Sequence, residues 1–102
     1  MSRVEQLRRL HAADPSDADV MYMLAQEFAK AGDVGEAVAW FDRCLAARPD
    51  YCYAHYHKAR ALEGAGRVGE AVAALREGAA AAQRFGDAKA AGEIAAYLDQ
   101  IG

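Results

Sequence analysis

The sequence predicts an all-α fold of about six helices arranged as antiparallel pairs. Three observations predict it. The octet Gly32-Asp33-Val34-Gly35-Glu36-Ala37-Val38-Ala39 recurs as Gly66-Arg67-Val68-Gly69-Glu70-Ala71-Val72-Ala73, an offset of 34 residues. Between its breakers the chain places apolar residues at three-and-four spacing, the mark of one helical face. No stretch shows the sustained period-two alternation of a half-buried strand. The same offset joins Ala25 to Ala59, Ala31 to Ala65 and Pro15 to Pro49. The repeated unit is therefore much longer than the octet, and a fixed period of this size points to stacked helical repeats.

Each element has its origin in local chemistry. Residues 2 to 13 carry Val4, Leu7, Leu10 and His11 on one face, with Arg3, Arg8 and Arg9 off it. Pro15 disfavours helix at the residue before it, and Ser16 or Asp17 can cap the next helix. A helix from about Ala18 to Ala31 turns Val20, Met21, Leu24, Ala25 and Phe28 inward, and Gly32 ends it. Asp33 with Glu36 has the spacing of a capping box for the next helix. That helix carries Ala37, Val38, Phe41, Cys44 and Leu45 on one side, and Arg48-Pro49-Asp50 closes it. The second copy predicts helices from about Tyr51 to Ala65 and from Val68 to about Phe85, since Gln83 replaces the expected proline within an alanine-rich run. Gly86-Asp87 breaks and caps. A last helix, about Ala88 to Ile101, offers Ala91, Ile94, Ala95, Leu98 and Ile101 as its apolar face.

Composition narrows the function classes. The chain is 54% hydrophobic but only 9% aromatic, so small residues carry much of the apolar content. Its net charge is -3 and its twelve Lys and Arg are dispersed, which argues against the basic stripe of a nucleic-acid binder. The start, Met1-Ser2-Arg3-Val4-Glu5-Gln6, lacks the apolar core of a signal peptide, and no run approaches the roughly 18 apolar residues of a membrane span. Cys44 and Cys52 are too few for a disulfide framework and suit a reducing compartment. These features predict a cytoplasmic protein without a membrane anchor.

The phased residues carry a family resemblance. Met21, Leu24, Ala25, Phe28, Ala37, Phe41 and Pro49 match the order of a 34-residue signature: large, apolar, small and aromatic, then alanine, aromatic and proline. The second copy has His55, Lys58, Ala59, Leu62, Ala71, Leu75 and Gln83 at these places, matching chiefly in its small residues. The chain resembles a tetratricopeptide repeat protein. That resemblance implies a right-handed superhelix in one domain over residues 1–102, with full repeats at 18–51 and 52–85. Leu7 and Pro15 lie 34 residues before Phe41 and Pro49, so residues 2–15 read as the second helix of a partial repeat. A shift of two residues brings Ala91, Ile94, Ala95 and Leu98 into phase as a first helix, read as a cap at 87–101. Asp87, Lys89, Glu93, Asp99 and Gln100 would make its outer face polar. The alternative is that both ends stay partly apolar and the protein pairs with itself, a possible homodimer.

The resemblance further implies a concave surface that binds a peptide or helix of a protein partner, built from the first helix of each unit. Carried by repeat position, it holds Tyr22, Met23, Gln26 and Lys30 from the first copy and Tyr53, Tyr56, His57 and Arg60 from the second. It would also hold Asp19 and Glu63, and Lys89 and Glu93 would follow from the last helix. Family members that clamp a terminal carboxylate use basic and amide residues at places here held by Asp19, Met23, His57, Lys89 and Glu93. Two acids and no asparagine argue against such a clamp. The run Tyr51-Cys52-Tyr53-Ala54-His55-Tyr56-His57-Lys58 invites a metal reading, but on a helix His55 and His57 point about 200° apart. Cys52 and His55 share a side, and two ligands do not make a structural site. The expectation is no metal and no cofactor. No phosphate loop or activated nucleophile is visible, so the chain reads as an interaction module and not as an enzyme, with a self-assembling structural subunit as the alternative.

Overall fold

Three left-handed glycines punctuate the chain. In the computed structural model, which describes residues 2–102, six helices run in order: α1 (Arg3–Ala13), α2 (Ala18–Lys30), α3 (Val34–Ala47), α4 (Cys52–Gly64), α5 (Val68–Phe85) and α6 (Ala88–Ile101). Met1, with which the N-terminal reading began, lies outside the described residues. No strand occurs among those residues. Gly32, Gly66 and Gly86 have φ of 79°, 78° and 71°. At Gly32 the reversal is closed by Asp33 N–H donating to the Phe28 carbonyl at 2.9 Å, and at Gly66 by Arg67 N–H donating to Leu62 at 2.9 Å. Both are six-to-one bonds that satisfy an otherwise orphan carbonyl, and the glycine supplies the left-handed step at little cost.

Helix starts are capped by side chains in four cases. Ser2 accepts from Glu5 N–H, Asp17 from Asp19 and Val20, Asp33 from Glu36, and Asp87 from Ala90. Only half of the expected capping box forms at Asp33: its carboxylate takes the Glu36 amide, but its own N–H is committed to Phe28. In the second copy Arg67 stands where Asp33 would, so α5 has no side-chain cap and Arg67 pairs with Glu70 instead.

Packing is pairwise. α2 packs most extensively on α3 and α4 on α5, α3 also bridges to α4, and α6 closes on α5. α2, α4 and α6 form a row in which each touches the next. Extents of 40 × 30 × 17 Å describe a slab two helices thick. At the paired positions of the two copies, Ala25, Ala37, Ala59 and Ala71 are all fully buried. Their short side chains let the helix backbones approach closely.

The core has an N-terminal body centred on Leu7, Leu24, Phe41 and Cys44, and a C-terminal one of Leu62, Leu75, Ile94 and Tyr97. Three apolar faces differ from expectation. Leu10 is 52% exposed, because no helix among the described residues covers that side of α1. Ala95 is exposed; of the rest of its expected face Ile94 is buried and Ala91, Leu98 and Ile101 are packed against the core, while Ala90 and Tyr97 are buried in addition. Trp40, not foreseen as core, is 4% exposed. It meets His11 edge-on at 4.9 Å and carries the Arg43 guanidinium 4.4 Å from its centroid. Neither Trp40 Nε1 nor His11 Nδ1 finds a hydrogen-bond partner there.

At Gly78 α5 approaches α4 closely. A Cβ built on it would lie 2.7 Å from His55 Cβ and 3.1 Å from Ile94 Cδ1. Exposed Gly92 on α6 has nothing within 4 Å of the same construction. Gly92→Ala should therefore raise stability by about 0.5–1 kcal/mol through helix propensity, whereas Gly78→Ala should lower it by about 1–3 kcal/mol through overpacking. Urea denaturation monitored by circular dichroism measures both, and equal gains at the two sites would refute the close approach.

Candidate functional site

A groove of about 470 Å³ opens between α2 and α4 toward their C-terminal ends. Its walls carry Gln26 and Lys30 from α2 and His57 and Arg60 from α4. Its floor is apolar: Ala29, Val34, Phe41 and Ala61, with Gly32 and Gly64 at the rim. The 34-residue register explains the pairing, since Gln26 and Arg60 occupy one repeat position on neighbouring helices. α3, wedged between α2 and α4, holds the two helices apart and supplies Val34 and Phe41.

Of the eight residues assigned to the concave surface from sequence, four line the groove: Gln26, Lys30, His57 and Arg60. Tyr22 and Tyr56 stand beside it as support. The Tyr22 ring is half-buried and meets Phe41 at 5.9 Å, Tyr51 at 4.9 Å and His57 at 5.7 Å. Gln26 donates through Nε2 to the Tyr22 hydroxyl at 3.3 Å. Tyr56 packs on the other side of His57 at 5.3 Å and on Tyr97 at 5.2 Å. Tyr22, His57, Tyr56 and Tyr97 thus make a continuous aromatic line across α2, α4 and α6. The Tyr97 hydroxyl donates to Glu63, tying α6 back to α4.

Met23 and Tyr53 do not reach the groove. Met23 turns toward α1, where Arg3 donates to its sulfur at 3.6 Å. Tyr53 leans toward α6, beside the cluster of Cys52, Ala82 and Ala90. Asp19, also carried onto the concave surface, accepts from the Tyr51 hydroxyl at 2.8 Å and lies 3.7 Å from Arg48. Val34 and Phe41 of the groove floor were missed because the concave surface was taken only from the first helix of each unit, Phe41 being assigned to the core. Val34 and Phe41 belong to the second helix, and their place in the 34-residue phase was the available signal.

The charge around the groove is weakly positive. Arg60 is exposed, and Lys30 keeps Glu27 as its neighbour at 3.0 Å. Desolvation lowers the His57 pKa, with the Arg60 charge adding to it, so the imidazole wall is neutral near pH 7. His55 points the opposite way, into the α4/α5 contact at Gly78. Its pKa is also lowered by burial, and its Nδ1 is shielded without a partner. The two histidines therefore serve different contacts. Among the described residues no three His, Cys, Asp or Glu side chains converge in a metal-binding group. Burial pushes the Cys44 thiol up to about 11 and raises that of Cys52, which leaves both as packing residues with little thiolate at neutral pH.

The family model described as Anaphase-promoting complex, cyclosome, subunit 3 matches residues 5–78. The chain belongs to this family of tetratricopeptide-like repeats. A tetratricopeptide repeat domain protein from Salinibacter ruber is similar at 28% identity and a TM-score of 0.77, over 86% of this chain and 89% of its own. A Bordetella parapertussis protein superposes with a TM-score of 0.83 at 24% identity, over 99% of this chain and 88% of its own. The type III secretion translocator chaperone SycD of Yersinia enterocolitica does so at 0.82 and 15% identity, over 96% and 68%. At those two identities the likeness is one of fold. No curated protein matches the sequence. Tetratricopeptide repeats are in general protein-interaction modules, and the chain is of that general kind. No helix among the described residues is long and apolar enough to cross a membrane.

Both depressed histidines couple stability to pH. Below an ordinary histidine pKa of about 6.5 the unfolded chain binds more protons than the folded one. Their contribution is therefore full above about pH 6.5 and is lost as pH falls through the lowered folded-state values. Urea midpoints should drop between about pH 7 and pH 5, and replacing His55 and His57 together with Gln should flatten that drop. An identical pH profile in the double variant would exclude the histidines as its source.

Proposed function

We propose that this protein is a non-enzymatic interaction module and that the groove between α2 and α4 receives a short peptide or a helix of a protein partner. The observation that carries the reading is an apolar floor flanked by Gln26, Lys30, His57 and Arg60 from two successive first helices. An apolar side chain of the partner fits the floor at Phe41 and Ala61, and its desolvation supplies most of the affinity. A carboxylate or backbone carbonyl beside that anchor would meet Lys30 and Arg60 at the rim and set its orientation. The aromatic line behind His57 holds that wall in place, which lowers the ordering cost of binding. The repeat frame consistent with this reading is 18–51 and 52–85, so that Gln26 and Arg60 are one position used twice. Cytoplasmic location accords with the reduced cysteines and belongs to the same proposal.

Selection from a displayed library of random peptides tests the reading. Selected peptides should share an apolar anchor with an acidic neighbour. Arg60→Glu and His57→Ala should each weaken binding at least about tenfold, a loss of about 1.4 kcal/mol, while Arg76→Glu on exposed α5 should leave it unchanged. Peptides that bind equally well to all three variants would place the binding surface elsewhere.

A further inference from the structure

The two ends of the array are exposed at places where its middle is buried. In the second helix of each pair, Ala37 and Cys44 of α3 and Ala71 and Gly78 of α5 are buried. Their equivalents on α1, 34 residues before α3, are Arg3 and Leu10, and both are exposed. In the first helices, Ala18 and Ala25 of α2 and Cys52 and Ala59 of α4 are buried. Their equivalents on α6, after the two-residue shift, are Ala88 and Ala95, and both are exposed. The cause is the same at each end. Among the described residues, α1 has no helix on the side where α2 covers α3, and α6 has none on the side where α3 covers α2.

We propose that α1 of one copy packs on α6 of a second copy and that the two together complete a helix pair. The occupant of each end is set by the repeat itself. α6 presents the phase of a first helix and α1 that of a second, and this crossing is already made twice inside the chain, by α2 with α3 and by α4 with α5. Leu10 of one copy then takes the place of Cys44, and Ala95 of the other that of Ala25.

Charge favours the same match. On α1, Arg3, Arg8 and Arg9 outnumber Glu5; on α6, Glu93 and Asp99 outnumber Lys89, and Asp87 caps the helix. A short turn joins the paired helices inside the chain, so the start of the second lies near the end of the first. Arg3 at the start of α1 therefore comes to the Asp99 turn of α6. Arg3 also stands where Ala37 and Ala71 stand, which keeps this crossing looser than the internal ones. Its stem can lie over Ala95 with the guanidinium exchanging the Met23 sulfur of its own copy for Asp99. The contact uses different surfaces on the two copies, so each addition leaves one end of each type free, and growth is open rather than closed. The contact is separate from the α2/α4 groove, and its success or failure leaves the peptide reading untouched.

Sedimentation of the 102-residue chain over about a hundredfold concentration range into the high micromolar tests the proposal. The average mass should keep rising past that of a dimer, and added salt should reduce it. Ala95→Arg blocks one end and Leu10→Glu the other. Both positions are on the surface, so circular dichroism should show unchanged helicity. Each variant alone should stay monomeric, and an equimolar mixture should stop at a heterodimer, because one intact α1 and one intact α6 remain. A chain that is monomeric throughout would overturn the proposal. So would a wild type that stops at a dimer, or a mixture that remains monomeric where the wild type assembles.

Discussion

Ala25 and Ala37 in the first unit, and Ala59 and Ala71 in the second, are wholly removed from solvent, and larger side chains there would force the paired helices apart. The rest of the architecture depends on that approach. It places Phe41 under α2, where the ring serves at once as core and as floor of the groove. It also fixes how far α3 can wedge between α2 and α4, and so the width of the opening that Gln26 and Arg60 face across.

The two units reach the same shape with different material. The first is filled by Met21, Leu24, Trp40 and Phe41; the second has His55, Lys58, Ala74 and Leu75 at those repeat positions. Three devices compensate for the lost volume. His55 packs into the space left by Gly78. Lys58, at an apolar signature position, lies along the helices and ends on Asp42 at 2.7 Å, which ties the second unit to the first. α6 then contributes Ile94 and Tyr97 to a core the second unit does not fill alone.

Helix number, order and approximate limits were legible in the sequence because the 34-residue period and the glycine and aspartate punctuation act locally. Which side of each terminal helix is covered was not legible. Leu10 and Ala95 have the residue types of an inward face, and only the absence of a neighbouring helix leaves them outside. Trp40 was overlooked because the inward face of its helix was drawn through Ala37, Val38, Phe41, Cys44 and Leu45, although its repeat position is buried in both copies, at Trp40 and at Ala74. At the groove, the repeat position located Gln26, Lys30, His57 and Arg60. It could not tell that Met23 would be drawn to Arg3 or Tyr53 toward α6, since those choices depend on side chains outside the unit.

Trp40 is the one tryptophan in the chain, and it lies in the N-terminal body between His11 and Arg43. Its emission therefore reports on α1 and α3, while the far-ultraviolet helical signal averages over all six helices. In a repeat array the free energy is divided among units and their interfaces, so the two optical probes sample different parts of the same molecule. The difference between their transitions measures how far the second unit, leaning on α6, melts in concert with the first.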